Sequence, residues 1–353
     1  MKERIYETVN NLFKVLNDRE RYVLSQRFSL NFPEKRKVSL EDIGNSLGLT
    51  RERIRQIQNN ALAKISAKIE ESNFLNNDFL FYLEKNLGRL KLKPESYLKN
   101  KLFYDFNFNL KDYNVFFFLV EIHPKIFVYK EDRHFYTFLY LEKHYEEIVK
   151  KFLNHLNTLF KKRPFLKEEE FMENIKKEIE YHFNIEIEKD EILEFIKIFK
   201  MIFKNPFGEI GHFSHYRIVP RSLIEKIKLL LIKENRPLHF KEIYHKLIEI
   251  KKNEDELIHK KWKKNFSLKT IHSTLNTNDD FILVGRGFYA LRDWNLPEGK
   301  ILDIMKNIVK ENPGIDINDL KEKLSKVRYF TDKTFYIYVY KYFKKIGNKI
   351  YID

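Results

Sequence analysis

The sequence predicts a mainly α protein made of tandem helix-turn-helix and winged-helix domains with short β-hairpin wings. Three observations predict it. Gly (10) and Pro (9) together are 19 of 353 residues, about half the roughly 12% usual in soluble domains, and Lys-, Glu-, Ile- and Leu-rich stretches fill the gaps between them. The N-terminal segment carries helix start and stop signals at helix-turn-helix spacing. The C-terminal half repeats one pattern: a helix, a Pro-marked turn, two further helices and a Gly-centred pair of apolar runs.

A chain of 353 residues predicts two to four domains at about 150 residues each, with room for several cores. Lys and Arg number 66 against 51 Asp and Glu, a formal charge of +15. That balance favours polyanionic partners, nucleic acid first and an acidic membrane surface second. Part of it is compositional drift towards lysine, because the chain has only four alanines (Ala61, Ala63, Ala67, Ala290) and is loaded with Lys, Ile, Asn, Phe and Tyr. Cysteine is absent, which excludes a disulfide scaffold, Cys-ligated metal and a cysteine nucleophile. The opening Met1-Lys2-Glu3-Arg4 predicts no signal peptide. The longest uncharged apolar run, Val115–Val120, is far short of the about 20 residues that span a bilayer. A cytoplasmic, nucleoid-associated protein without a membrane partner is expected.

The first helix-turn-helix occupies about residues 1–70. Asn17 is an N-cap with Glu20 at the third position of a capping box, predicting a helix to about Phe28. Asn31–Lys37 is a polar loop with a Pro. Ser39 caps a second helix carrying Leu40, Ile43 and Leu47; Gly48-Leu49 forms a tight turn; Thr50 caps a third helix to about Ile65. In that helix Ile54, Ile57, Ala61 and Ile65 share the core face, whereas Arg51, Glu52, Arg55, Gln56 and Asn59 share the outer one. An ordinary solvated face prefers Lys/Glu pairs. This one carries Arg and Gln, which make bidentate contacts to base edges.

Leu16-Asn-Asp-Arg-Glu-Arg21, Val23-Leu-Ser-Gln-Arg-Phe28, Ser39-Leu-Glu-Asp-Ile-Gly44, Leu47-Gly-Leu-Thr-Arg-Glu-Arg-Ile-Arg-Gln-Ile57 and Ala61-Leu62 resemble region 4 of the sigma-70 family of bacterial sigma factors, which reads the −35 promoter element. The resemblance implies base contacts by Arg51, Glu52 and Gln56, and phosphate contacts by Arg19, Arg27, Arg53 and Arg55. Gln58-Asn59-Asn60 departs from it, standing where the family has an acidic residue followed by Ala-Lys; the phosphate-binding Lys is replaced by Asn60. Region 4 ends sigma factors but opens this chain. The expectation is therefore a borrowed reading head rather than a working initiation factor.

Residues 71–140 are rich in aromatics (Phe79–Tyr82, Phe103–Phe108, Phe116–Phe118), which at helical spacing are core before they are a base-stacking surface. A helical, aromatic-rich linker domain or a winged helix is expected there. Three repeat units follow, about 141–218, 219–295 and 296–353, marked by Pro164, Pro237 and Pro313 after helices at about 146–161, 223–234 and 301–311. Second helices are expected at 168–179, 241–250 and 317–324, and third helices at 190–203, 268–276 and 332–344. The middle unit has the clearest hairpin, Phe281–Leu291 around Gly285-Arg286-Gly287, with Arg286 at the wing tip. Pro237-Leu-His-Phe-Lys-Glu-Ile243, Thr270-Ile-His-Ser-Thr-Leu275 and Phe281–Trp294 resemble the HARE-HTH winged-helix family, found in a bacterial RNA polymerase subunit, in restriction-enzyme fusions and in chromatin proteins. A region 4-like segment joined to this domain resembles sigma-factor-like helix-turn-helix proteins of bacteria.

No catalytic constellation stands out. His212-x-x-His215 lacks a third ligand and reads as a polar loop pair, and His239 and His272 as structural hydrogen-bonding residues of the HARE-like pattern. Gly285-x-Gly287 lacks the rest of a phosphate-cradling loop, the acidic runs 168–170 and 254–256 read as solvated helix surface, and serine-nucleophile motifs are missing. No enzyme and no cofactor are expected. In His259-Lys-Lys-Trp-Lys-Lys264, phosphate contacts with Trp262 stacking on a base stand level with Trp262 tucked onto its own domain. Lys269 and Thr270 open the next helix, where a helix N-terminus meets phosphates. The reading is a sequence-specific double-stranded DNA-binding transcription regulator. The alternative is an RNA polymerase accessory protein docking through the region 4-like domain.

Overall fold

A computed structural model describes residues 1–31, 38–72, 77–297 and 299–352. The loop expected at 31–37 lies, apart from Asn31, outside them. The chain divides into two compact units, Met1–Arg163 with Glu169–Ile202, and Pro164–Glu168 with Phe203–Asp353.

The chain opens with α1 (Lys2–Phe13), α2 (Asp18–Arg27), α3 (Leu40–Leu47) and α4 (Arg51–Ser72). It then runs four times through one order: helix, strand, helix, helix, strand, strand. The first pass is α5 (Asn77–Leu87), β1 (Leu92–Pro94), α6 (Glu95–Phe106), α7 (Leu110–Ile122), β2 (Phe127–Tyr129) and β3 (Phe138–Tyr140). The second is α8 (Tyr145–Lys162), β4 (Phe165–Lys167), α9 (Glu168–Phe183), α10 (Lys189–Ile196), β5 (Ile202–Lys204) and β6 (Glu209–His212). The third is α11 (Leu223–Glu234), β7 (Leu238–His239), α12 (Phe240–Lys252), α13 (Leu268–Thr277), β8 (Phe281–Gly285) and β9 (Phe288–Leu291). The last is α14 (Ile301–Glu311), β10 (Ile315–Asp316), α15 (Ile317–Val327), α16 (Asp332–Tyr342), β11 (Lys344–Ile346) and β12 (Lys349–Tyr351).

Each pass closes a three-stranded sheet with its third strand in the middle: β1-β3-β2, β4-β6-β5, β7-β9-β8 and β10-β12-β11. A short first strand laid beside a terminal hairpin is the winged-helix arrangement. The fold class is therefore mainly α, with a helix-turn-helix and winged helices bearing short wings. The pass at 77–140 is hard to see in the sequence because its hairpin loop, 130–137, contains no glycine.

In the first unit the aromatic run becomes core. Val115, Phe116, Phe118, Leu119 and Val120 of α7 are buried, and they pack with Ile5, Val9 and Leu12 of α1 and Leu83 and Leu87 of α5. Burying side chains of this size contributes about 1.5–3 kcal/mol each. Asn109 and Asp112 close a capping box on α7. Asp112 also accepts from the Tyr6 hydroxyl at 2.9 Å and pairs with Lys2 at 2.9 Å, tying α1 down. Phe81 is an exception to the core reading, 66% exposed.

The second unit contains separate cores for the third and fourth passes, built on Ile227, Ile243 and Ile271 and on Met305, Leu320 and Phe335. The two passes are stitched together. Arg328 Nη1 donates to the Leu283 carbonyl at 3.1 Å, Tyr329 N–H donates to the Val284 carbonyl at 3.2 Å, and the Tyr329 ring stacks on Phe288 at 3.6 Å.

The helix-turn-helix depends on two glycines. Gly48 ends α3 at φ +64°, a left-handed cap that a β-carbon disfavours. Gly44, one turn earlier, donates no side chain because the Leu49 carbonyl oxygen lies 2.5 Å from where a Cβ would stand. The obstacle is backbone, so it cannot swing aside. Gly44→Ala should therefore lower stability by about 1–3 kcal/mol, as overpacking does, and Gly48→Ala by about 1–2 kcal/mol, the left-handed penalty. Urea denaturation followed by circular dichroism checks both; a Gly44→Ala midpoint equal to the parent's would contradict the close approach.

Candidate nucleic-acid interface

The Asn17 side chain accepts from the Glu20 N–H, and Glu20 returns a bond to the Asn17 N–H, so α2 starts where the sequence predicts. Glu20 is buried and also holds Lys64 of α4 at 2.8 Å. Burial alone would raise its carboxyl, but the Lys64 ammonium and the Asn17 amide outweigh that and keep it below the usual carboxylate range. Ser39 accepts from the Asp42 N–H to start α3, and Thr50 Oγ1 accepts from the Arg53 N–H at 3.2 Å to start α4.

The 22 residues of α4 span about 33 Å at 1.5 Å per residue, and the helix is gripped twice. Ile54 and Ile57 join Val23 and Ile43 in a small core, and Ala61, Ile65 and Ile69 enter the large core with Leu12, Leu24 and Leu98. The opposite side of the first turns is left in solvent: Arg51, Glu52, Arg53, Arg55, Gln56, Asn59 and Asn60 are all exposed.

On that face the polar side chains meet at i, i+3. Arg55 grips both carboxylate oxygens of Glu52, Nε to Oε2 at 2.8 Å and Nη2 to Oε1 at 2.7 Å. Arg53 Nη1 donates to Gln56 Oε1 at 3.1 Å. The Arg55 guanidinium holds the Glu52 carboxyl below its ordinary range. Arg19 is exposed on α2. Arg27 is half-buried and its Nη1 donates to the Val38 carbonyl at 2.8 Å, so part of its guanidinium fastens the chain ahead of α3. The sequence pattern does not contain the Glu52–Arg55 and Arg27–Val38 pairings, which depend on rotamers and on where the chain re-enters the fold.

The third helices of the four passes differ in what they leave exposed. Eight of the 13 residues of α7 are buried, so it serves as core. α10 carries Asp190, Glu191 and Glu194. α13 exposes Lys269, Thr270, His272, Ser273, Asn276 and Thr277. Ser267 caps α13, accepting from the Thr270 N–H at 3.0 Å, with the two hydroxyls 2.8 Å apart. Thr270 thus has its amide and hydroxyl engaged, while Lys269 stands free of the cap. Ser273 and Asn276 extend the same face at i+4 and i+7 from Lys269, a helical spacing that continues beyond the Lys269–Thr270 pair. Arg286 is exposed at the β8–β9 tip.

Of the two positions the sequence leaves open for Trp262, the structure shows the tucked one and not base stacking: the indole is 1% exposed. It donates Nε1–H to the Ile218 carbonyl at 2.9 Å and packs with Leu229 and Ile258. A large apolar ring beside its own domain is more stable buried, leaving only the flanking lysines for solvent. Its carbonyl accepts from Lys226, an amine that burial, and then the charge of Lys264, pushes down to about 8. His212 meets Ser214 Oγ at 2.7 Å, and His215 accepts from the Arg217 N–H. Among the described residues no group of three His, Asp or Glu side chains comes together to hold a metal, and no helix is long and apolar enough to cross a membrane.

A capped helix, a glycine turn and a long second helix with a polar outer face define a DNA-binding type of helix-turn-helix. Residues 12–67 match the family Sigma-70, region 4, a DNA-binding helix-turn-helix domain. The RNA polymerase sigma factor RpoD proteins of Helicobacter pylori strains 26695 and J99 are each 38% identical to this chain over 65 residues, 18% of this chain and 10% and 9% of theirs. The chain thus spans about one-tenth of the length of the curated relatives it matches. No solved structure matches it.

The Glu52–Arg55 pair gives a direct check. In Arg55→Ala the Glu52 carboxyl should titrate higher, close to the about 4.3 of a free glutamate, with the unfolding midpoint unchanged. Carbon-detected NMR titration reads it; an unshifted Glu52 curve would contradict the pairing.

Proposed function

We propose that this protein is a sequence-specific double-stranded DNA-binding transcription regulator that reads a −35-like element through α4. The observation that carries the reading is the exposed Arg51–Gln56 face on a doubly anchored helix within a segment matching Sigma-70, region 4. Arg51, Glu52 and Gln56 contact base edges in the major groove; Arg19, Arg27, Arg53 and Arg55 hold phosphates. The chain is organised as a region 4-like domain at 1–70, an aromatic-rich domain at 71–140, and winged helices at 141–218, 219–295 and 296–353. The one at 219–295 is HARE-HTH-like, and its Lys269, Thr270 and Arg286 add phosphate contacts. The protein acts by binding, in the cytoplasm at the nucleoid, without catalysis.

Fluorescence anisotropy on a consensus −35 duplex and a scrambled duplex, over a range of salt, tests this. The −35 duplex should bind tighter, and Arg51→Ala should relax the preference by about 1–3 kcal/mol. Gln56→Ala added to it should erase the preference. Arg19→Ala should weaken both duplexes alike and shallow the salt slope by about one. Equal, steeply salt-dependent binding to both duplexes would overturn the reading and leave only the net charge of +15 holding DNA.

One observation favours a second reading: the matched relatives are RNA polymerase sigma factors. In that reading the region 4-like domain docks on RNA polymerase. Polymerase retained from a lysate equally by the parent and by Arg51→Ala/Gln56→Ala, with no duplex preference, would select it.

A further inference from the structure

We propose that α16 and the β11–β12 hairpin form a second nucleic-acid site, one that takes single strands by stacking unpaired bases on Tyr340 and its neighbours. The proposal concerns the second unit and is independent of how α4 reads DNA.

Phe335 and Val339 bury one side of α16 in the core of the fourth pass. The other side carries Lys333, Ile337, Tyr340 and Lys341, spaced i, i+4, i+7 and i+8, so they share a face. Tyr340 is 64% exposed, Ile337 51%, and Ile346 in the hairpin 58%. Lys345 Nζ lies over the Tyr340 ring at 5.3 Å, which places the hairpin beside this helix face. The Tyr336 ring lies 6.4 Å from that of Tyr340 at 24°, so two nearly parallel aromatic faces stand one helical turn apart.

Charge selects the occupant. From Arg328 to Ile352 the chain has Arg328, Lys333, Lys341, Lys344, Lys345 and Lys349 against one acid, Asp332. Lys321 neutralises Asp332 at 2.9 Å. All five lysines are exposed. The face is therefore cationic around an apolar centre, which fits a polyanion that also offers flat apolar surface. Duplex DNA offers the charge but hides its base faces. Base edges in a groove are read mainly by Arg, Lys, Asn and Gln, and of these α16 has only two lysines, set around the apolar centre of Ile337 and Tyr340. An unpaired strand offers phosphates to the lysines and π-faces to the tyrosines, the combination that single-strand binders use. The polar, capped α13 lacks such a centre, which is why the assignment falls on the fourth pass alone.

The test uses the full chain with fluorescein-labelled dT20, rU20 and a 20-base-pair duplex lacking a −35 element, in parallel anisotropy titrations. Single strands should bind tighter than that duplex. Tyr340→Ala with Ile337→Ala should weaken single-strand binding about tenfold, within the range seen for lost base stacking, and leave the duplex affinity unchanged. Lys344→Ala with Lys345→Ala should instead shallow the salt slope for the single strand. Because Tyr340 and Ile337 are exposed, the variants should keep the parent's thermal midpoint. Photo-crosslinking of 5-iodouracil oligonucleotides should map to residues 329–346. Unchanged single-strand affinity in the Tyr340/Ile337 variant, or crosslinks confined to other segments, would overturn the proposal. So would a self-associating parent that Ile337→Ala turns monomeric with no change in oligonucleotide affinity, since the face would then belong to a second copy of the chain.

Discussion

The double anchorage of α4 is the constraint from which the first unit follows. Its first two turns sit in the small Val23–Ile43 core and its later turns in the large core with Leu12 and Leu24. Among those later turns, Lys64 is also held by the buried Glu20. A helix fixed at both ends has one free side, and on α4 that side begins at Arg51. The glycine turn belongs to the same constraint: with Leu49 backed against Gly44, α3 and α4 meet at one angle, so the polar face presents as a rigid surface.

Burial also sets the repeated units apart. All four passes follow one element order and one sheet order, yet their third helices leave different side chains exposed. α7 is core, because its run of phenylalanines is more stable packed against α1 than in solvent. α13 keeps a short polar face with a serine cap, and α16 keeps an aromatic and cationic one. Shared topology is no guide to shared contacts; what each helix leaves uncovered is.

Much of this was legible locally. Asn17 with Glu20, Ser39 before Asp42, and Gly48 announce the helix ends because caps are bonds between near neighbours, and the structure forms each of them. The same locality made the helices at 223–234 and 301–311 readable. What escaped depends on distance along the chain. The Trp262 indole N–H is held by the Ile218 carbonyl, 44 residues earlier. The sheet at 77–140 pairs Leu92 with Tyr140, with no glycine to mark its hairpin. On the exposed face of α4, Arg51, Glu52 and Gln56 are recognisable as a pattern, but the clasp of Arg55 on Glu52 is a choice among rotamers that the pattern leaves open.

We propose that DNA meets the chain at the exposed start of the doubly anchored α4. Amide hydrogen exchange with and without a −35 duplex tests it most directly. In the free protein α4 beyond Ala61 should already be among the slowest-exchanging segments, and the duplex should add protection at 48–58. Rapid exchange throughout α4 in the free protein, or duplex-induced protection confined to residues beyond 203, would contradict it.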